Sequence, residues 1–343
     1  MSKKIYVLAP YGLITGGPDA LHQLVYYLNK IGADAEMVYV NITSKNQKIA
    51  KEYAPYIDTY GVLKDISDTK ENIVIVPETL HHLLNKYQNV QKYIWWLSVD
   101  NDLKLGGESK IKLMAKKLFS KGFFKKYCHL YKMRTFIDVL RHKAYSFEEE
   151  TEVTHLCASY YAYDYVSQKT TRKVIRCIEP ISLFFLQQGE CMDRSNRKSV
   201  VLYNPKKNFL FTQKVIEKNP DLEFLPLRGY TQQQLVDLFR ASKVYIDFGG
   251  FPGAERLPKE AVLNGCAIVT GRYGASAYDG DVPINACYKF DATEENIEKI
   301  SETIHCLLEQ YEERFCDFDR YRKTVKDLES NFAEVLTKEF LNE

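Results

Sequence analysis

Short apolar runs alternate with amphipathic stretches along the whole chain. Residues 5–9 (IYVLA) are an unbroken apolar run, and Leu21, Leu24, Val25, Leu28 and Ile31 then recur at helical spacing. That change of period predicts a buried strand followed by a helix packed on it. Further strands are predicted at 35–40, 73–76 (IVIV), 93–97 (YIWWL), 153–158 (VTHLCA) and 173–178 (KVIRCI). IVIV has no polar face, as expected of a central parallel strand covered on both sides. A second series follows at 199–203 (SVVLY), 222–226 (LEFLP), 244–248 (VYIDF) and 267–270 (AIVT), with a helix at 231–241. In the last fifty residues Ile297, Ile300, Ile304, Leu307 and Leu308 share one helical face.

Strand–helix alternation predicts parallel sheets with helices on both faces. Two such series predict an α/β chain of two doubly wound Rossmann-type domains facing a cleft. The first domain is expected at 1–180 and the second at 198–320. A linker at 179–197 carries Pro180 and Gly189, and a C-terminal helix at 321–343 is expected to pack back on the first domain.

One segment interrupts the alternation. Residues 101–145 hold twelve Lys or Arg against three acids, interleaved with Phe119, Phe123, Phe124, Tyr127, Tyr131 and Phe136. Two readings stay open: a solvated helical insertion in the first domain, or a basic surface for a membrane or another anionic acceptor. The whole chain carries a net charge of only +2, so nucleic acid is not an expected partner. The eight cysteines form no CxxC pair and stand at no zinc-finger spacing from a histidine, so neither disulfide nor structural metal is expected. No run of eighteen apolar residues exists, and MSKKIYVLAPYG is too short in its apolar stretch for a secretory signal. A cytoplasmic protein is expected, at the inner face of the membrane if the basic segment binds lipid.

The chemistry concentrates where predicted strands end. After 244–248 comes GGFPGAERLPKEAVLNGC, with Gly249, Gly250 and Gly253 in a loop and Pro258 in the first turn of a helix. A helix start offers free N–H groups and partial positive charge; Arg256 and Lys259 add two cations there. These are the parts of a diphosphate site, with Glu260 placed to accept hydrogen bonds from a sugar diol. After 199–203 comes NPKKN, where Asn204, Lys206 and Lys207 lie on the same predicted edge. After the first strand comes a loop with Gly16, Gly17 and Pro18, which can present backbone N–H groups to a phosphate or sugar. It is not GxGxxG, so a dinucleotide fold is not expected. Glu78 follows the IVIV strand and can orient an acceptor hydroxyl or act as base. His155 reads better as a core histidine, and Asp100 as a cap or turn residue.

These segments resemble the two-domain GT-B glycosyltransferases, nearest to glycosyltransferase family 4. RLPKEAVLNGCAIVTG is similar to that family's GLPxxEAMAxGxPVI segment, YNPKKN to the loop whose lysine contacts the donor diphosphate, and the N-terminal GGP loop also fits. The whole stretch further resembles glycosyltransferases of bacterial polysaccharide loci. The resemblance implies transfer of a sugar from a nucleotide-diphosphate sugar to a hydroxyl, retaining and without metal. It implies no cofactor, and a glycan or lipid-linked glycan as acceptor. It places Arg256 with Lys206 or Lys207 at the diphosphate, Glu260 at the ribose, and Gly16 and Gly17 closing the donor site. Glu260 matches the second of the family's paired glutamates. Pro252 stands where the first would be, and Glu255 lies five residues before Glu260.

Three alternatives stand beside this reading. Asp100 and Asp102 in SVDNDL form the Asp-x-Asp pattern of metal-dependent GT-A transferases. A non-catalytic GT-B-like scaffold that binds a nucleotide or glycan is supported by the missing first glutamate. A sugar-nucleotide epimerase would share the two-domain shape.

Overall fold

The computed structural model describes residues 3–101, 144–148 and 152–341. The basic segment at 101–145, and with it Asp102, lies almost wholly outside the described residues. Contacts divide the chain into two compact units. The first is built from the described residues of Met1–Ala158, Ala162–Cys177 and Ala333–Glu343, the second from Ser159–Tyr161 and Ile178–Phe332.

The first unit carries β1 (Lys4–Ala9), α1 (Gly16–Lys30), β2 (Asp34–Tyr39), β3 (Gly61–Val62), β4 (Ile73–Pro77), β5 (Gln91–Trp96), β6 (Val153–Cys157), α2 (Tyr160–Ser167, whose first two residues belong to the second unit) and β7 (Val174–Arg176). Its sheet is parallel in the order β3-β2-β1-β4-β5-β6-β7. All five residues of β4 are buried, as a strand covered on both faces requires. The first turn of α1 is pinned by His22. A carbonyl can only accept, so the Nδ1–H of His22 donates to the Pro18 oxygen at 2.6 Å, and Nε2 accepts from the Tyr39 hydroxyl at 2.8 Å. The imidazole stacks on Tyr53 at 3.7 Å, and burial pushes its pKa down to about 4.

The second unit continues with α3 (Leu183–Gln188), β8 (Lys198–Tyr203), α4 (Phe209–Lys218), β9 (Glu223–Pro226), α5 (Gln232–Ala241), β10 (Ser242–Asp247), α6 (Arg256–Leu263), β11 (Ala267–Gly271), β12 (Lys289–Phe290), α7 (Ile297–Glu309), α8 (Tyr311–Arg314) and α9 (Asp319–Phe340), whose residues from Ala333 belong to the first unit. Its sheet, also parallel, runs β12-β11-β10-β8-β9. Thr231 caps α5 by accepting from the Gln234 N–H, and the Gln234 side chain answers to the Thr231 N–H. Ile300, Ile304, Leu307 and Leu308 of α7 are buried in the core, as their spacing predicts.

The architecture is the expected pair of doubly wound α/β units. The short edge strands β3 and β12 have two residues each, too few to show a period. The expected linker at 179–197 is partly ordered as α3, closed by Gly189 at φ 67°.

Candidate functional site

Each sheet has one point where strand order reverses direction. In the first unit it lies between β1 and β4, and in the second between β8 and β10. Connections from the two central strands leave on opposite sides there, so the strand ends open a crevice for a ligand. The candidate residues gather at these two points. Gly16 and Gly17 follow β1 and Glu78 follows β4. Asn204, Lys206 and Lys207 follow β8, while Arg256, Lys259 and Glu260 belong to the connection after β10.

The second unit's crevice is braced by a buried acid. Asp247 ends β10 and is 3% exposed. One carboxylate oxygen accepts from Asn204 Nδ2 at 3.3 Å and from the Tyr245 hydroxyl at 3.0 Å; the other accepts from the Gly249 N–H at 2.9 Å. Burial raises the Asp247 pKa, opposed by nearby Lys207 and the Gly249 N–H. Asn204 in turn accepts from the Lys206 N–H at 3.1 Å. The polar ends of β8 and β10 are therefore tied together beneath the lysine loop.

Lys207 reaches across this brace. Its ammonium forms an ion pair with Glu255, donates to the Gly250 carbonyl at 3.2 Å and lies 5.3 Å from the Phe251 ring centre. Lys206 is exposed. The loop that carries Glu255 is stitched to the turn after β11: the Phe251 N–H donates to Tyr273 O at 3.3 Å and Ala275 N–H to Phe251 O at 2.8 Å. Gly274 permits this at φ 63°; a Cβ there would lie 2.1 Å from the Phe251 oxygen. Phe209, Leu210 and Tyr273 are exposed apolar or aromatic side chains on the loops and helix start around it.

Arg256 is the first residue of α6, half-buried, and Glu260 is buried one turn later. The opposite end of α6 is held by a buried arginine. The Arg197 guanidinium donates to the carbonyls of Phe239, Ser242 and Asn264, at 2.9, 3.0 and 2.7 Å. It thereby places positive charge where α5 and α6 end, the favourable end of each helix dipole for a cation.

Lys259 is placed differently from the other candidate cations. It is 4% exposed, and its Nζ has no hydrogen-bond partner among the described residues. It lines a small cavity with Asp281, Tyr321, Gly280 and Ala254. Burial lowers its pKa, opposed by Glu179 and Asp281. Asp281 accepts from the N–H groups of Tyr160 and Tyr161 at 2.8 and 3.1 Å, and burial pushes its pKa up to about 6.

In the first unit, Glu78 is buried and one carboxylate oxygen accepts from the Leu97 N–H at 3.0 Å. Gly16 opens α1 with nothing within 4 Å of where a Cβ would sit, so backbone approach there is unobstructed. His155 is a core residue: fully buried on β6, its Nδ1 accepts from Trp96 Nε1 at 3.0 Å. Asp100 is buried in the first turn of a helix that follows Ser98, whose hydroxyl accepts from the Asn101 N–H at 3.3 Å. Its proposed metal partner, Asp102, lies outside the described residues.

From the sequence, neither Asp247 nor Asp281 receives a role, although Asp281 belongs to a second Asp-x-Asp pattern, DGD at 279–281. Asp247 carried a visible signal, an acid closing an otherwise apolar strand in VYIDF. Nothing in the sequence signalled the contacts of Asp281, because its partners Tyr160 and Tyr161 lie 120 residues away.

No protein-family model matches this sequence, and no curated protein matches it. Solved structures do share its fold. A glycosyltransferase from Rickettsia africae ESF-5 is 12% identical with a TM-score of 0.59, each chain covered over 100% of its length. The pneumococcal O-GlcNAc transferase GtfA, solved with UDP and GlcNAc, is 10% identical with a TM-score of 0.54, covering 98% of this chain and 97% of its own. WaaG, a glycosyltransferase involved in lipopolysaccharide biosynthesis, is 10% identical with a TM-score of 0.52 over 97% of this chain and 99% of its own. At such identities the likeness establishes the fold, which is GT-B-like. No helix among the described residues is long and apolar enough to cross a membrane.

Proposed function

We propose that the chain is a glycosyltransferase of the family 4 type. It moves a sugar from a nucleotide-diphosphate sugar to a hydroxyl acceptor in bacterial surface polysaccharide or glycoconjugate synthesis. One observation carries the reading: Lys207 and Arg256 come from different connections yet flank the β8/β10 switch point, beside the start of α6. A strand-order switch is where a parallel sheet takes its ligand, and two cations with a helix N-terminus suit a diphosphate. The neighbours support it further, since GtfA was solved with UDP and GlcNAc.

In this reading the leaving diphosphate is neutralised by Lys207, Lys206 and Arg256 together with the first N–H groups of α6. Such fixed charges need no reorganisation as negative charge develops on the leaving oxygen. Glu260 accepts from the ribose hydroxyls. Asn204, a donor-binding candidate, also keeps the lysine loop in place through Asp247. Gly16 and Gly17 let backbone N–H groups approach the donor sugar, and Glu78 orients the acceptor hydroxyl. Transfer is retaining and metal-independent, no cofactor takes part, and the acceptor is a glycan or lipid-linked glycan. The protein works in the cytoplasm.

The test is thermal-shift titration with UDP-, GDP-, CMP- and dTDP-sugars, each with EDTA and with Mn²⁺. Ligand that binds only the folded chain raises the melting temperature by mass action. A shift with one nucleotide in EDTA, lost in Arg256→Ala, supports the reading. A shift that requires Mn²⁺ moves the argument to Asp100 and Asp102. The absence of any shift favours the scaffold alternative.

A further inference from the structure

We infer that Glu255 occupies, on the Lys207 ammonium, the place a nucleoside diphosphate takes, so that donor binding exchanges one anion for the other. The inference rests on the donor-site reading above and assigns Glu255 a role that reading leaves open.

Lys207 is already engaged. Its ammonium has three donors; Gly250 O takes one at 3.2 Å and the Glu255 carboxylate another. Glu255 stands at the N-cap of α6 yet makes no side-chain cap bond among the described residues. A short acceptor at that position would ordinarily turn to the helix N–H groups. Here the carboxylate turns away, to the lysine. Both side chains are 24% exposed, so the pair is open to solvent and to exchange.

Charge decides what must move. Asp247 lies beneath the same loop, held to the Gly249 N–H at 2.9 Å. With Glu255 in place, the ammonium already carries one carboxylate, and the Asp247 carboxylate, which feels the Lys207 charge, lies nearby. A diphosphate added to that arrangement would meet like charge at close range, which is costly. Withdrawal of Glu255 removes the conflict at modest cost, because an ion pair that solvent reaches on both side chains contributes little. The diphosphate replaces it with more charge and more acceptor oxygens. A monophosphate, whose single group need not reach Lys207, leaves the pair undisturbed. The released carboxylate remains at the head of α6, five residues before Glu260, free to accept from the donor sugar's hydroxyls. It thus supplies an acidic group near the position where the family's first glutamate is replaced by Pro252.

Calorimetric titration of the full chain with UDP, GDP, CDP, dTDP and their monophosphates tests this. The variants are Glu255→Gln, Glu255→Ala, Lys207→Met and Lys207→Met/Glu255→Gln. Removing the competing carboxylate should tighten binding of the preferred diphosphate about 3–10-fold. Monophosphate binding should change less than about twofold, and the gain should vanish when Lys207 is Met. Glu255→Ala, which cannot keep a polar contact with Lys207, should move the same way. Diphosphate binding that is unchanged or weaker in both Glu255 variants overturns the exchange while leaving the donor site standing. A gain that persists without Lys207 also overturns it. Absence of diphosphate binding in every form removes the donor site and the exchange together.

Discussion

Gly249 and Lys207 are in such close contact that a Cβ on Gly249 would lie 2.2 Å from the Lys207 Cβ. The lysine loop after β8 and the glycine loop after β10 therefore pass each other with no room for a side chain. Gly249→Ala must push the lysine loop away, a shift that overpacking in other proteins suggests costs about 1–3 kcal/mol. We expect lower stability in denaturant titration together with weaker nucleoside diphosphate binding. Lost stability with unchanged binding would show that Lys207 need not sit where it does.

Arg197 holds three carbonyls at the ends of α5 and α6 and lies over Tyr311 at 5.8 Å. Arg197→Met keeps the bulk and leaves those oxygens without their donor. Unmet hydrogen bonds to a charged group predict a loss of about 3 kcal/mol or more, read from the urea midpoint. Because α6 is anchored at this end, donor affinity should fall as well.

Two buried groups tilt stability in opposite directions with pH. Burial lowers His22 from 6.5 to about 4, so the folded chain holds that proton less tightly than the unfolded chain. Its contribution to stability therefore rises between about pH 4 and 6.5. Burial raises Asp281 from 3.8 to about 6, so the folded chain holds that proton more tightly. Its contribution is present at low pH and is lost as pH rises from about 4 to 6. Each effect is at most about 3–3.5 kcal/mol. The stability difference between wild type and His22→Gln should grow with pH across this window, and that between wild type and Asp281→Asn should shrink. Two curves of the same slope would contradict the assignment.

Lys259 faces Asp281 and Tyr321 in a buried cavity, whereas Lys207 and Arg256 are partly exposed. Lys259→Met should change diphosphate affinity less than about threefold. Lys207→Met and Arg256→Ala should each weaken it about tenfold or more, the scale of a lost charge-assisted bond. An equal loss in all three, measured by calorimetry, would return Lys259 to the donor contacts.

The fold was readable because both central strands announce themselves. IVIV in β4 and VYIDF in β10 are apolar beyond what a half-exposed strand needs, and helical stripes follow or precede them. The edge strands at Gly61–Val62 and Lys289–Phe290 are invisible to any periodicity, since a two-residue strand has none. Of the candidate site, the glycine loops and the two cation sources could be located from residue types alone. What each cation touches could not. Lys259 and Glu260 are sequence neighbours, and only packing shows that the lysine lines the Asp281 cavity. The Lys207–Glu255 pair joins residues nearly fifty positions apart, beyond the reach of local spacing.

On the proposed function, the β8/β10 switch binds a nucleotide-diphosphate sugar and releases its nucleoside diphosphate. The most direct measurement is release of nucleoside diphosphate from a panel of nucleotide sugars, in EDTA, with mixed glycan acceptors present. We predict release from one nucleotide sugar by the wild-type chain, and a drop of about a hundredfold or more in Arg256→Ala, as when an oxyanion-stabilising group is removed. Release that appears only with Mn²⁺, or that survives Arg256→Ala intact, would contradict the account.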